Sequence, residues 1–351
     1  MIDIEQNIWG FTPEGEAVIL YTIKNASGAS VQVTNLGAAV VSVRVPDRAG
    51  VLTDVVLGHD TYADYASDSQ ALGKTIGRYA GRIAGGRFML NNSEVKLTQN
   101  NGRHHADGGM SGYASKLWQS RTEVNRVVFS YVSPDNDERY PGELGIEVVY
   151  DWSEDNELEV TFFAKSSTDT VANLSNRTFF NLAGESAGNA LNQHLRLYAE
   201  HYLPTDFTQI PTGDLKSVAH TPMDFRESRT IGRDMDADFD QLKYDNGYDS
   251  CWTIDGWERD KFVHAATLKD SASGRVMNLF TTMPAVCLSS GSQLQGTTIG
   301  KGGREYDQGA GIALQCMFYP DSPNKPHFPS TLLNSDSLYE EHIIYKFGVE
   351  K

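Results

Sequence analysis

The chain has 351 residues, 40% of them hydrophobic and 22% charged, ordinary proportions for a globular protein with apolar side chains enough for a large core. Its 46 acidic residues against 30 basic ones give a formal net charge of -16, which repels phosphate backbones and anionic membrane surfaces and argues against nucleic acid or membrane as a partner. The start, MIDIEQNIWGFTPEGEAV, has no basic n-region or apolar h-region, and no later stretch approaches the roughly twenty apolar residues of a membrane helix, so a cytoplasmic location is expected.

In chain order, short β-branched or aromatic runs stand between turn-forming clusters. Val31 to Thr34 comes first, followed by the turn signal of Asp47 to Gly50 and that of Asn91-Asn92. Val127 to Val132 is a second such run, closed by Ser133-Pro134-Asp135-Asn136, and Leu158 to Phe163 a third, preceded by Glu154-Asp155-Asn156. Runs of this length and composition read as strands. Long helical periodicity is absent, no linker or low-complexity tract interrupts the pattern, and no fixed-period repeat is visible. The expectation is an all-β fold: a large antiparallel β-sandwich of roughly twenty or more strands, one domain over 1–351, with its core closed from near Val18 to Phe347.

Further along, Asp234, Asp236, Asp238 and Asp240 alternate like the early ligands of a calcium loop, but Phe239 stands where the sharp turn needs glycine and Asp245 where a closing glutamate belongs. A solvated acidic loop is expected, and no metal site. Cys251, Cys287 and Cys316 are odd in number and widely spaced, so buried free thiols are expected rather than a disulfide framework or a zinc site. The tract Gly296 to Gly303 falls one residue short of phosphate-loop spacing and carries Gly302 where a magnesium-binding hydroxyl would stand; an exposed loop is the better reading. His194, His201, His220, His264 and His327 show no paired spacing, and no cofactor is called for.

Four separated stretches carry a resemblance. They are IGRYAGRIAGGRFML (Ile76 to Leu90); NNGRHHADGG (Asn100 to Gly109) with Gly112 and Trp118; SNRTFFNLAG (Ser175 to Gly184) followed by YLPTDFTQIPTG and DFR; and GYDS (Gly247 to Ser250) with ALQCMFYPDSPNKPHFPSTLL (Ala313 to Leu333). Together, in this order, they resemble the galactose mutarotase (aldose 1-epimerase) family over nearly the whole chain. The resemblance implies a sugar-binding cleft in which a glutamate takes the anomeric hydroxyl proton and a histidine protonates the ring oxygen. A second histidine, an arginine and an aspartate hold the hydroxyls.

Carried over position by position, the arginine is Arg82 and the aspartate Asp249, while Gly81 replaces an asparagine and Ser250 a histidine. The histidine of the usual Leu-His-Gly-Gly falls on Asp107, the acid histidine on Arg177, and the base glutamate on Gln315. A guanidinium stays protonated at physiological pH and an amide has no useful basicity, and general acid and base groups each contribute typically about 10²- to 10⁴-fold. The expectation is therefore an enzyme of altered specificity or reaction on a sugar-like or oxygenated ring compound. Asp107, Arg177, Asp249 and Gln315 stand at the catalytic positions, with Asp107 or Asp249 titrating, and Arg82, His105 and Gly81 bind the ligand. Two guanidinium groups in one cleft suit a small molecule that carries an anionic group. A catalytically silent carbohydrate-binding or regulatory protein is a second reading, and a true aldose 1-epimerase that recruits His104 or His105 a third. Either a monomer or a homodimer is compatible with the sequence.

Overall fold

The computed structural model describes residues 1–296 and 299–350, and strands dominate it: 28 are found against two α-helices of six residues each, Tyr62–Ser67 and Asp240–Asp245. Three larger sheets account for most of them. The first runs in chain order through Asp3–Phe11, Ala17–Lys24, Ser30–Thr34, Ala39–Pro46 and Leu52–Asp54. In the second, of nine strands, the long C-terminal strand Tyr339–Val349 lies between Glu157–Ser166 and Arg275–Thr281, so the end of the chain joins its middle to its last third. The third, of six strands, contains Phe179–Phe180, Ile312–Met317, Ala285–Ser289 and Asp249–Thr253 as consecutive neighbours.

Residue alternation explains how these sheets pack. Along Tyr339–Val349 the residues Tyr339, Glu341, Ile343, Tyr345 and Phe347 are buried while Glu340 and Lys346 are exposed, the period of two that a pleated strand imposes. One hydrophobic cluster then draws Tyr21, Val31 and Val43 from the first sheet, Phe129, Val160 and Phe347 from the second, and Trp252, Val286 and Leu314 from the third. The expected start of this core, Val18, packs in a smaller group with Leu36, Val41 and Tyr65.

In the six-stranded sheet both faces are covered, and this places the pocket described below. Leu314 and Cys316 point into the core, whereas Gln315 and Met317 line the opposite face. Cys251 opposes Cys287, which in turn opposes Gln315, so one row of side chains runs across three strands beneath the pocket.

That row corrects the expectation of free thiols. Cys251 and Cys287 form a disulfide, with Cα atoms 3.9 Å apart, although 36 residues separate them in sequence. Sequence spacing carries no trace of a pairing set by strand register. Cys316, on the core face, stays free, and burial pushes its thiol up to about 12.

The glycine-rich tract departs in part from the exposed loop expected of it, whereas the acidic stretch is exposed at Asp236, Asp238 and Asp240 as expected. In the glycine-rich tract Thr297 and Thr298 lie outside the described residues, but Lys301 turns inward rather than to solvent: its Nζ donates to Val41 O at 2.7 Å and Val56 O at 2.9 Å and pairs with Asp54 at 2.7 Å. In the acidic stretch Asp234 is held by Arg229 at 3.3 Å and Arg233 at 2.8 Å, and Asp240 opens the second helix. Among the described residues no helix is long and apolar enough to cross a membrane, and no group of three or more His, Cys, Asp or Glu could hold a metal.

Candidate functional site

A pocket of about 430 Å³ opens over the six-stranded sheet and takes in Gly81, Arg82, Asp107, Arg177, Asp249 and Gln315, six of the seven residues expected at the site. They come from distant parts of the chain. Arg82 begins the two-residue strand Arg82–Ile83, paired with His105–Ala106, and Asp107 follows directly in the left-handed conformation, with φ of 50°. Aspartate tolerates that region better than most residues. Here it turns the carboxylate back onto Gly81: Gly81 N donates to Asp107 Oδ1 at 2.9 Å while Asp107 N donates to Gly81 O at 3.0 Å. Gly81, with φ of 81°, also has Pro320 so near that an added Cβ would meet it at 3.1 Å. Its backbone N–H is thus engaged by Asp107, not free for a ligand.

Asp107 Oδ2 accepts from Arg177 Nη2 at 2.5 Å, and the side chains are 32% and 24% exposed. Arg177 Nε donates to Gln315 Oε1 at 3.2 Å, and Gln315 Nε2 donates to Ser175 Oγ at 3.5 Å. The three residues at the positions of two histidines and a glutamate therefore form one hydrogen-bonded chain, from the Gly81 backbone to Ser175. Each replacement makes sense only with the others, since an unpaired Arg or Asp in a half-desolvated wall would be costly. Burial pushes the Asp107 carboxyl up, but the Arg177 charge, its hydrogen bond and the Gly81 N–H outweigh it and leave the group below its ordinary value. Burial likewise disfavours the charged Arg177, and the Asp107 charge outweighs it, so the guanidinium is held more firmly protonated than usual. Arg177 was expected to meet an anionic group on the ligand; its charge is already answered by Asp107.

Arg82, half-buried, donates through Nη2 to Gln209 Oε1 and weakly through Nε to Asn101 Oδ1 at 3.4 Å. The opposite side of the pocket is different. Asp249, at the first position of the strand Asp249–Thr253, and Asp245, at the end of the second helix, both line the pocket, and neither carboxyl takes part in a hydrogen bond or ion pair among the described residues. Asp249 is exposed to solvent on the pocket side, with protein packed behind it. Burial raises its pKa, Arg82 and Arg177 pull it down, Asp107 pushes it up, and the net direction is upward. Asp245 is pushed up to about 7, by burial first and then by the Asp249 charge, against the pull of Arg82.

Neither His105 nor His104 lines the pocket. His105 was expected at the ligand, but it is fully buried: Nδ1 lies 2.7 Å from Thr98 O and Nε2 2.7 Å from Tyr140 OH, so both ring nitrogens are engaged. His104 Nδ1 accepts from Gly85 N at 3.1 Å. Burial lowers the pKa of both imidazoles. In the sequence Asp245 belongs only to an acidic stretch, and its position four residues before Asp249 is the available signal.

The family model for aldose 1-epimerases matches residues 20–346, and with that coverage the chain belongs to the aldose 1-epimerase family. It is 35% identical to the galactose mutarotase of Bos taurus over 349 residues, 99% of this chain and 100% of that protein, and 35% identical to the aldose 1-epimerase of Escherichia coli over 341 residues, 96% and 97% of the two. Among solved structures, a galactose 1-epimerase from Lactobacillus acidophilus superposes with a TM-score of 0.87 at 26% identity, covering 100% of both chains. An aldose epimerase homologue from C. elegans matches with the same TM-score and identity over 95% of this chain and 99% of that one.

Proposed function

We propose that the protein acts on the ring form of a sugar-like compound and interconverts its anomers by opening and reclosing the ring, with Asp249 carrying a proton in place of the family's usual groups. The relatives named above support the reaction class, and the pocket's size supports a single ring as ligand, since about 430 Å³ lies in the range of small-molecule sites. The observation that carries the reading is Asp249 itself: a carboxyl that faces the pocket, takes no bond from the protein among the described residues, and titrates above its usual value. Perturbed, unpartnered acids of this kind cluster at functional sites. Arg177 and Arg82 have N–H donors left for ring hydroxyls, because each guanidinium has five and only two of them are engaged in the bonds above.

Altered specificity follows from the same residues. Gln315 and Arg177 present amide and guanidinium where glutamate and histidine would stand, so hydroxyl recognition on that wall is donor-rich, and the preferred aldose need not be galactose. Polarimetry on a panel of aldoses, with thermal shift against the same panel, tests the proposal. Accelerated mutarotation of at least one aldose is expected. If aldoses raise the melting temperature and none is turned over, the second reading, a carbohydrate-binding protein without catalysis, replaces the first.

A further inference from the structure

Ring opening needs an acid as well as a base, and the pocket offers few groups able to serve. Arg82 and Arg177 cannot release a proton at physiological pH, Asp107 is locked as a carboxylate by Arg177 and Gly81, and Tyr248 donates its hydroxyl to Pro222 O at 2.9 Å. Two carboxyls remain, Asp245 and Asp249, four residues apart and joined by a left-handed Asn246 and by Gly247, whose φ is 144°. That turn brings the end of the helix to the start of an inner strand of the six-stranded sheet, and both acids line the pocket.

We propose that Asp245 is the proton partner of Asp249, the two carboxyls holding one proton between them and serving as the acid and the base of ring opening. The inference rests on the reading of the pocket as a sugar-ring site. Two neighbouring carboxyls that accept no hydrogen bond among the described residues cannot both ionise cheaply, and the environment separates them. Asp245 sits at the C-terminal end of a helix, where the carbonyl ends disfavour a negative charge, and is pushed up to about 7. Asp249 feels two guanidinium charges, Arg82 and Arg177, that favour its carboxylate, where Asp245 feels only Arg82, and this assigns the base to Asp249. Arg82, from the strand Arg82–Ile83, is the cation that faces both.

In the forward step the Asp249 carboxylate takes the anomeric hydroxyl proton as the carbonyl forms. The bond between the anomeric carbon and the ring oxygen breaks, its electron pair stays on the ring oxygen, and that oxygen receives the Asp245 proton. After the aldehyde rotates, the hydroxyl attacks the carbonyl and returns its proton to Asp245, while Asp249 returns its own to the new anomeric oxygen. No atom or electron is left over.

The test is Asp245→Asn, which keeps shape and removes the proton. Expected is a fall in kcat of about 10²-fold or more, with KM within a few-fold of wild type and a melting temperature equal or higher, since a repulsion has been removed. The wild-type rate should decline as pH rises through about 7, and this alkaline limb should vanish in the variant. A full kcat with the alkaline limb intact, while Asp249→Asn is inactive, overturns the role of Asp245 and leaves the sugar-ring reading standing. If wild type turns over no aldose, both fall as catalysis, and carboxyl ¹³C NMR still decides whether the pair exists. An Asp245 signal that titrates near neutrality and moves down in Asp249→Asn supports the shared proton; independent titration of the two overturns it.

Discussion

The two walls of the pocket are built on opposite principles. On one, Asp107, Arg177 and Gln315 satisfy one another in a chain that begins at the Gly81 backbone and ends at Ser175. On the other, Asp245 and Asp249 take no bond from the protein among the described residues, and their proton affinities are raised. A wall whose charges are already matched gains little by exchanging protons with a ligand, because doing so breaks its own bonds. A wall of unmatched acids has nothing to break. On the proposed reading, the residues at the family's two histidine positions and its glutamate position hold the architecture, while Asp249, at the position of its aspartate, and Asp245 are free for chemistry.

The largest expected effect tests the free wall. Asp249→Asn should lower the rate of aldose anomer exchange by about 10²- to 10⁴-fold. Adding Asp245→Asn should cost little more, because two groups that act as one unit are non-additive. Multiplicative losses in the double variant, measured by polarimetry at one substrate concentration, would separate the two acids and break the comparison on that side.

Next in size is the matched wall. Arg177→Ala leaves Asp107 without its cation, and as both side chains retain some contact with solvent the cost should be about 1–2 kcal/mol near neutral pH, below that of a fully buried pair. The folded-state pKa of Asp107 is lowered, so this stabilisation is present above its unfolded value of roughly 4 and is lost as pH falls through the folded value. Urea denaturation of wild type and variant should show a gap at pH 7 that narrows towards pH 3. A gap independent of pH would mean that Arg177 contributes by packing alone.

Glu341 supplies a control outside the pocket and the smallest effect. It points inward from the C-terminal strand, 4% exposed, with Thr282 Oγ1 donating to it at 2.5 Å, and burial pushes it up to about 7. A carboxyl with a raised folded pKa contributes fully below its unfolded value and loses that contribution as pH rises through the folded one. Glu341→Gln should accordingly stabilise the protein by roughly 1 kcal/mol at pH 8 and not at pH 4, with no change in anomer exchange. Unchanged activity would show that a raised carboxyl pKa does not by itself mark the site; a loss would mean that an acid outside the pocket also serves the reaction.

Much of this was legible in the sequence, and the limits are physical. Strand runs such as Leu158 to Phe163 appear within Glu157–Ser166 because alternation and β-branching are local properties. The positions of Arg82, Arg177, Asp249 and Gln315 could be carried over from ordered motifs, and the structure brings them to one pocket. Local reading could not see that Thr98 O and Tyr140 OH would claim both nitrogens of His105, or that strand register would set Cys251 against Cys287. Asp245 was hidden for a related reason: a six-residue helix within an acidic stretch gives no periodic signal, and only its fold-back onto the sheet makes it a neighbour of Asp249.

The contrast between the walls is tested most directly by measuring anomer exchange of the best aldose in Asp249→Asn and Gln315→Ala side by side, with folding checked by circular dichroism. If proton transfer belongs to the unmatched acids, Asp249→Asn loses about 10²-fold or more while Gln315→Ala stays within about tenfold of wild type. Near wild-type exchange in Asp249→Asn together with loss in Gln315→Ala would return the chemistry to the family's usual wall and contradict the account.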